Sequence, residues 1–166
     1  HIRDAKLVAA EKGFETVMAS MKPAKKVAGK KAAIIGGGPT GMAAAYFLAR
    51  GGVETTIFER EATLGGVPRH VIPSFRIAEE TIEKDIALME KQGVEVKCGA
   101  PAPSVAELKA MGYTHILFAV GAWKAGRLDI EGAVAGAIQW MKGVKAGNIA
   151  VAGSVAVVGA GNTAMD

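Results

Sequence analysis

Residues 31–60 read KAAIIGGGPTGMAAAYFLARGGVETTIFER. An apolar run, Ala32 to Ile35, enters the turn Gly36-Gly37-Gly38-Pro39-Thr40-Gly41, which fits G-x-G-x-x-G. A small, apolar helical segment follows, Met42 to Arg50, and Gly51-Gly52 stops it. A second apolar run, Val53 to Phe58, ends in the acid Glu59. Strand, glycine turn, helix, strand and carboxylate in about thirty residues make the βαβ unit that binds dinucleotides.

Each part of this unit has a physical task. Gly36 turns the chain sharply out of the strand, Gly38 leaves room for a pyrophosphate against the backbone, and Gly41 lets helix and strand pack closely. Free N–H groups at the helix start, with Pro39 and Thr40 in its first turn, face the phosphates along the helix dipole. Glu59 lies 18 residues past Gly41, near the usual spacing of about 20. Its carboxylate accepts hydrogen bonds from ribose hydroxyls and repels a 2′-phosphate, so this half suits FAD or NAD better than NADP. A glycine turn alone also occurs in ordinary α/β domains; the flanking strand, helix and acid carry the dinucleotide reading.

Composition narrows the class. The chain has 166 residues, half of them hydrophobic, enough for a real core and for one domain with part of another. No apolar run of membrane-spanning length and no secretory signal pattern occur. Cys98 is the only cysteine, which rules out an internal disulfide, a C-x-x-C redox pair and a self-contained iron–sulfur or zinc site. A reducing, cytoplasmic setting fits. The net charge of +4 gathers at Lys22, Lys25, Lys26, Lys30 and Lys31, without the aromatic interleaving of a nucleic-acid site, so this stretch reads as a solvated linker. The first residue is His1 rather than Met, so the chain is expected to be cut from a longer protein.

Before the βαβ unit, Ile2 to Met21 has helical apolar spacing and Pro23 ends it. After Glu59 the chain reads REATLGGVPR, residues 60–69. The pair Gly65-Gly66, followed by Val67, gives backbone that lies close against a flat ring or the flavin side of a pyrophosphate, which favours FAD over a surface turn. Val71 to Arg76 reads as a short extended segment, with Arg76 facing phosphate or flavin, or simply solvated. His70 reads as a loop histidine. Ala78 to Gln92 is expected as a helix, Val94 to Cys98 as a strand with Cys98 a small core residue, and Val105 to Met111 as a short helix. Tyr113 to Val120 reads as a buried strand ending in Gly121, where the backbone again allows close approach, and Trp123 as a lid. Ala133 to Val144 reads as a helix.

The opening pattern then returns. Ser154 to Val158 is expected as a strand, and Gly159-Ala160-Gly161-Asn162-Thr163-Ala164 fits G-x-G-x-x-A, each small residue lying 123 positions after its counterpart in the first turn. The chain ends at Asp166, inside the helix expected next. Two such turns imply two dinucleotide sites, the plan of an enzyme that passes hydride from NAD(P)H to a flavin. The cofactors carry that chemistry, so no acid–base catalytic residue is assigned.

GGGPTGMAAAYFLAR, IFEREATLGGVPRHVIPSFRI, ILFAVGAWK and VAVVGAGNTAMD together resemble the flavin-containing small (β) subunit of bacterial glutamate synthase and its relatives. These include the flavin portion of dihydropyrimidine dehydrogenase and the selenate-reductase-like iron–sulfur flavoprotein subunits, the last being most similar. The resemblance covers nearly the whole chain. It implies an α/β, Rossmann-like FAD-binding domain, a parallel sheet with flanking helices, within a flavoprotein of two dinucleotide-binding domains. It implies that Gly36, Gly38, Pro39, Thr40 and Gly41 cradle the FAD pyrophosphate and that Glu59 and Arg60 flank the adenosine ribose. Gly65, Gly66 and Val67 would approach the flavin side, with Arg76 near phosphate or ring and Gly121 beneath the dinucleotide. Gly159, Gly161, Asn162 and Thr163 would begin the NAD(P)H site.

The implied domains are a helix and linker at 1–27, the FAD unit at 28–126, a connecting helix at 127–150, and the start of the nicotinamide unit at 151–166. Iron–sulfur clusters belong to a domain upstream of His1, and a partner subunit or domain accepts the electrons. The chain lacks that domain's cysteines. It also lacks the returning segment that completes the family's FAD site, so weak FAD binding by this piece is expected. A redox cysteine pair would mark a disulfide reductase, and none is present. The rival readings are a non-catalytic module holding FAD or NAD as a structural or sensing ligand, and a nucleic-acid-associated flavoprotein resting only on Lys22 to Lys31.

Overall fold

The computed structural model describes residues 1–124, 126, 129–150 and 152–166. The expected domain boundaries at 127 and 151 fall outside the described residues. Helix α1 (Ile2–Ser20) forms where the apolar spacing places it, but it buries none of its residues. Ile2, Leu7, Val8 and Val17 are all exposed.

The basic linker after α1 is tied down rather than simply solvated. The Val27 amide donates to the Gly52 carbonyl (2.8 Å), and the Glu54 amide donates to the Lys30 carbonyl (3.1 Å). A Cβ at Gly52, where φ is +83°, would lie 2.5 Å from the Lys25 carbonyl oxygen. Glycine there permits both the turn and the close passage of the linker.

The chain then builds β1 (Lys31–Ile35), α2 (Pro39–Arg50) and β2 (Glu54–Glu59), as expected. Helices α3 (Gly66–His70) and α4 (Glu79–Lys91) lead to β3 (Glu95–Cys98). Helix α5 (Val105–Ala110), opened by a reciprocal Ser104–Glu107 capping box, leads to β4 (His115–Phe118). The stretch Val71–Arg76, expected as extended, instead makes turns: the Arg76 and Ile77 amides both donate to the Pro73 carbonyl. Pro73 supplies a fixed φ suited to a turn, and no neighbouring strand offers the segment a ladder.

The four strands form one parallel sheet in the order β3-β2-β1-β4. Lys31 pairs with Glu54 and Ile35 with Phe58, while Ala32 to Ile35 pair with His115 to Phe118. β1 and β2 are buried on both sides, as central strands of a parallel sheet must be. On one face Ile34 and Ile57 pack with Met42, Ala45 and Ala49 of α2, with Leu64, and with Met89 of α4. On the other, Ala33 and Phe58 pack with Leu108 of α5 and Tyr113. Cys98 packs against the first cluster, half-buried, and burial pushes its thiol up, with the Glu59 and Glu90 charges adding to the shift. It serves as a small core residue.

β4 is shorter and less buried than expected. Tyr113 is buried, but Leu117, Phe118 and Val120 are exposed. β4 is an edge strand, and of its residues only Ile116 packs against a core cluster, so hydrophobicity did not translate into burial. Helix α6 (Ala137–Lys145) begins four residues later than the expected Ala133 and buries Met141. Residues 154–158 form no strand. Val155, Val157 and Val158 are exposed, because a strand needs a hydrogen-bonded neighbour and none is in register there among the described residues. Helix α7 (Asn162–Met165) follows. Among the described residues no helix is long and apolar enough to cross a membrane.

Candidate dinucleotide site

The sheet order places the site. β1, β2 and β3 succeed one another in one direction, and β4 lies on the other side of β1. Crossovers therefore diverge at the carboxyl ends of β1 and β4, which leaves a crevice there. Gly36 sits at that divide with φ +108°, its amide donating to the Phe58 carbonyl (2.9 Å). A Cβ on Gly36 would collide with the Ala119 carbonyl just past β4, and one on Gly41 would collide with the Gly36 carbonyl. These two glycines are required by the protein's own packing.

Gly38 is different. Its φ of −77° and ψ of −177° suit any residue, and a Cβ there would meet only the Gly66 Cα, at 3.8 Å. Nothing inside the protein demands glycine at this position. Gly38 is the N-cap of the twelve-residue α2 without a side-chain cap, Pro39 occupies the first turn, and the first helical bond runs from the Met42 amide to the Gly38 carbonyl (2.9 Å). The Thr40 and Gly41 amides thus precede the hydrogen-bonded ladder, and Pro39 and Thr40 are exposed.

Glu59 closes the turn from beneath. It is 7% exposed. Its Oε2 accepts from the Gly37 amide (2.6 Å) and its Oε1 from the Glu61 amide (2.9 Å). The second glycine pair completes the arrangement. The Gly65 amide donates to the Gly37 carbonyl (2.8 Å). A Cβ on Gly66, where φ is +57°, would lie 2.8 Å from the Gly38 Cα. Gly65 and Gly66 therefore pack on the fingerprint turn itself, and Gly66 opens the short α3, with Val67 its second residue.

Arg60, Gly121 and Arg76 sit farther out. Arg60 is exposed, its guanidinium 5.3 Å from the Trp123 ring centre. Gly121 has φ +72° beside Trp123. Trp123 is held between cations rather than lying as a lid, since Lys142 also approaches its ring at 5.6 Å. Arg76 pairs with Asp166, just past α7 (Nε to Oδ1, 2.7 Å), so its guanidinium is already engaged within the chain. His70 Nε2 lies 3.2 Å from the Thr63 carbonyl. In the second turn Gly159 has φ +136°, whereas Gly161 has φ −83° and would have nothing within 4 Å of a Cβ. Gly161, Asn162 and Thr163 are exposed.

Two participants escaped the sequence reading. Gly37 is buried, and a Cβ there would collide with the Leu64 side chain. Glu61 receives the Lys142 ammonium at 2.6 Å, and that hydrogen bond holds its carboxyl below the usual glutamate range against a smaller opposing effect of burial. The three consecutive glycines were a visible signal for Gly37. Nothing local signalled a partner 81 residues from Glu61.

The model of the family described as pyridine nucleotide-disulphide oxidoreductase matches residues 30–166, which is most of the chain. The chain belongs to that family. Its one cysteine means that it contains no dithiol pair of its own. It is 40% identical over 172 aligned positions to the YgfK protein of Escherichia coli K12, covering all of this chain and 17% of that protein. It is 34% identical over 160 positions to the NAD-dependent dihydropyrimidine dehydrogenase subunit PreT of Salmonella typhimurium, covering 92% of this chain and 38% of PreT. It is 34% identical over 98 positions to the glutamate synthase [NADPH] small chain of Mycobacterium tuberculosis, covering 59% and 20%. The chain thus spans well under half the length of these relatives.

Among solved structures, a complex of 2-naphthoyl-CoA reductase superposes on 69% of the chain with TM-score 0.53 and 30% identity, which is 17% of that protein. Histamine dehydrogenase from Rhizobium sp. 4-9 superposes on 63% with TM-score 0.50 and 20% identity, a likeness of fold over 16% of its chain. The resemblance read from the motifs and the Rossmann-like parallel sheet both agree with these relationships.

Proposed function

We propose that the chain supplies the FAD-binding unit, and the start of the nicotinamide-binding unit, of an NAD(P)H-dependent flavoprotein oxidoreductase. The observation that carries this reading is Gly38: it is glycine where neither backbone angle nor internal packing asks for one. The remaining reason for a missing side chain is an external group that must reach the backbone. The Thr40 and Gly41 amides and the positive end of α2 make that group an anion, a pyrophosphate. Gly161 repeats the same logic in the second turn.

Glu59 supports the dinucleotide half of the reading. An ionised carboxylate offers about four acceptor positions, and the Gly37 and Glu61 amides take two. The others are free for ribose hydroxyls, and the charge repels a 2′-phosphate, which favours FAD in the first site. Arg60 flanks the same end. Gly65 and Gly66 bring the chain against the turn on the flavin side, with Val67 after them, and Gly121 would lie beneath the dinucleotide, its backbone beside Trp123. Arg76, held by Asp166, sits where the two units meet. Gly159, Gly161, Asn162 and Thr163 begin the nicotinamide site.

Held by the Gly36–Gly41 turn, Glu59 and the Gly65-Gly66 pair, a flavin would supply hydride acceptance from a nicotinamide and one-electron transfer onward. The chain's own residues bind, orient and exclude water. A partner subunit or domain as electron acceptor is supported by the names of PreT, a dehydrogenase subunit, and of the glutamate synthase small chain; iron–sulfur clusters on that side rest on the motif resemblance alone. Those names differ between NAD and NADPH, and the choice is made in the second site. The test is to purify the intact protein, record its flavin absorbance and add NADH or NADPH anaerobically. Bleaching supports the reading. Bound flavin that resists both nucleotides supports a structural or sensing ligand instead, and an intact protein without flavin overturns the proposal.

A further inference from the structure

The segment just past Glu59 carries a cluster of charged contacts in which Glu61 and Lys142 have no part in the proposed dinucleotide contacts. Lys142 of α6 donates to Glu61 Oε1 at 2.6 Å, and Arg60 Nε approaches the same oxygen at 3.6 Å. Both cations also face the Trp123 ring, at 5.6 and 5.3 Å. Gln139 Nε2 donates to the Trp123 carbonyl (3.3 Å), and Lys145 Nζ to the Ile72 carbonyl (2.7 Å). Met141 is buried beneath them. One short helix thus places three polar side chains, each one turn or less from the next, on two segments: Lys142 and Lys145 on the stretch after Glu59, and Gln139 on the stretch after β4.

Helix α6 is also the last regular element before the second fingerprint, whose Gly159 lies 17 residues past Lys142. Where α6 is fixed sets where that second turn starts. A second charged contact acts at the far end, where Arg76 of the same loop region holds Asp166. A cation shared between a carboxylate and an aromatic face is directional and partly shielded from water, so it holds a helix in rotation as well as position.

We infer that Glu61 and Lys142, with Trp123 as their platform, form a positioning pair that fixes the nicotinamide-binding unit over the FAD unit. This rests on the proposed function. The pair touches neither nucleotide. It acts by setting the relative placement of the two turns, to which hydride transfer is steeply sensitive.

The experiment uses the intact protein carrying Glu61→Lys, Lys142→Glu, both together, and the milder Lys142→Met. Flavin content and nucleotide affinity are expected to stay within about threefold of wild type, while flavin reduction at saturating nucleotide slows about tenfold in each single variant. The double reversal restores the rate to within about threefold, because the ion pair is rebuilt with its charges exchanged. A readout independent of flavin is the emission of Trp123, taken as the difference between the flavin-free intact protein and the same protein carrying Trp123→Phe. That emission moves to longer wavelength in the single reversals and returns in the double.

Single variants that reduce flavin at the wild-type rate overturn the inference. So does a double reversal that stays as slow as the singles while retaining its flavin. If Lys142→Glu fails to fold, Lys142→Met carries the same expectation, and a wild-type rate in it is again decisive. Wild-type protein without flavin overturns the proposed function, and the positioning role with it. Normal bleaching with unchanged variants overturns the positioning role alone.

Discussion

Glu59 and Gly37 are joined by a 2.6 Å hydrogen bond, backbone N–H to carboxylate Oε2, across 22 residues of chain. The acid that ends β2 thereby anchors the glycine turn that ends β1. Its other oxygen takes the Glu61 amide. Replacing Glu59 by Ala leaves both amides without their acceptor in a site from which water is largely excluded. The expected cost is about 1–3 kcal/mol, read as a lower urea midpoint with unchanged m-value. FAD affinity of the intact protein falls as well, since the turn and the ribose lose the same carboxylate.

The fingerprint glycines separate into structural and ligand-facing positions. Gly38→Ala is expected to keep the wild-type melting temperature to within about 2 °C, since surface changes of this kind stay within about 0.5 kcal/mol. It is also expected to lower flavin occupancy at least tenfold, because the new methyl stands where the pyrophosphate approaches. Gly41→Ala does the reverse of the first half, destabilising the apoprotein because its Cβ collides with the Gly36 carbonyl. Equal losses of stability in the two variants would sink the assignment of Gly38 to the ligand.

Gly37→Ala meets a side chain rather than backbone, that of Leu64. Overpacking there is expected to cost about 1–3 kcal/mol. Leu64→Ala in the same molecule vacates the colliding atoms, so the double variant is less destabilised than the sum of the two singles. Chemical denaturation of all four forms measures the coupling.

Thr56 links three elements across the sheet. It is fully buried, donates to Glu95 Oε2 (2.9 Å) and accepts from the Tyr113 hydroxyl (2.9 Å). The Thr56 hydrogen bond is the largest influence holding the Glu95 carboxyl below its ordinary value of 4.5, ahead of the opposing effect of burial and the help of Lys97. A depressed carboxylate stabilises the fold above the unfolded-state value and loses that contribution as pH falls through the folded-state value. Thr56→Val therefore costs most at neutral pH, and its deficit narrows as pH falls below 4.5. Denaturation midpoints between pH 3 and pH 7 test the sign.

Local pattern was sufficient for part of this molecule. The run into Gly36, the small-residue helix after it and the acid at position 59 define a βαβ unit through spacing alone, and the unit formed within one to three residues of those bounds. Backbone geometry near a glycine and helical periodicity are properties of neighbours in sequence, so they can be read there. The same pattern at 154–164 was equally visible, yet residues 154–158 form no strand. Pairing depends on a partner that the local pattern does not contain.

What only the tertiary structure decided is the division of labour among residues that look alike. Gly36, Gly37, Gly38 and Gly41 are identical letters. Three of them are glycine because of Ala119, Leu64 and the Gly36 carbonyl, and one because of open space. Likewise, Ile116, Leu117 and Phe118 of β4 are all apolar, yet Leu117 and Phe118 are exposed, because an edge strand is buried only where another element lies over it. Lys142 and Glu61 are ordinary surface charges until the fold brings them within 2.6 Å. The sequence determined the turns, helix and strands of the first βαβ unit, since those preferences act over a few residues. Which atoms each side chain meets was decided by packing between segments far apart in the chain.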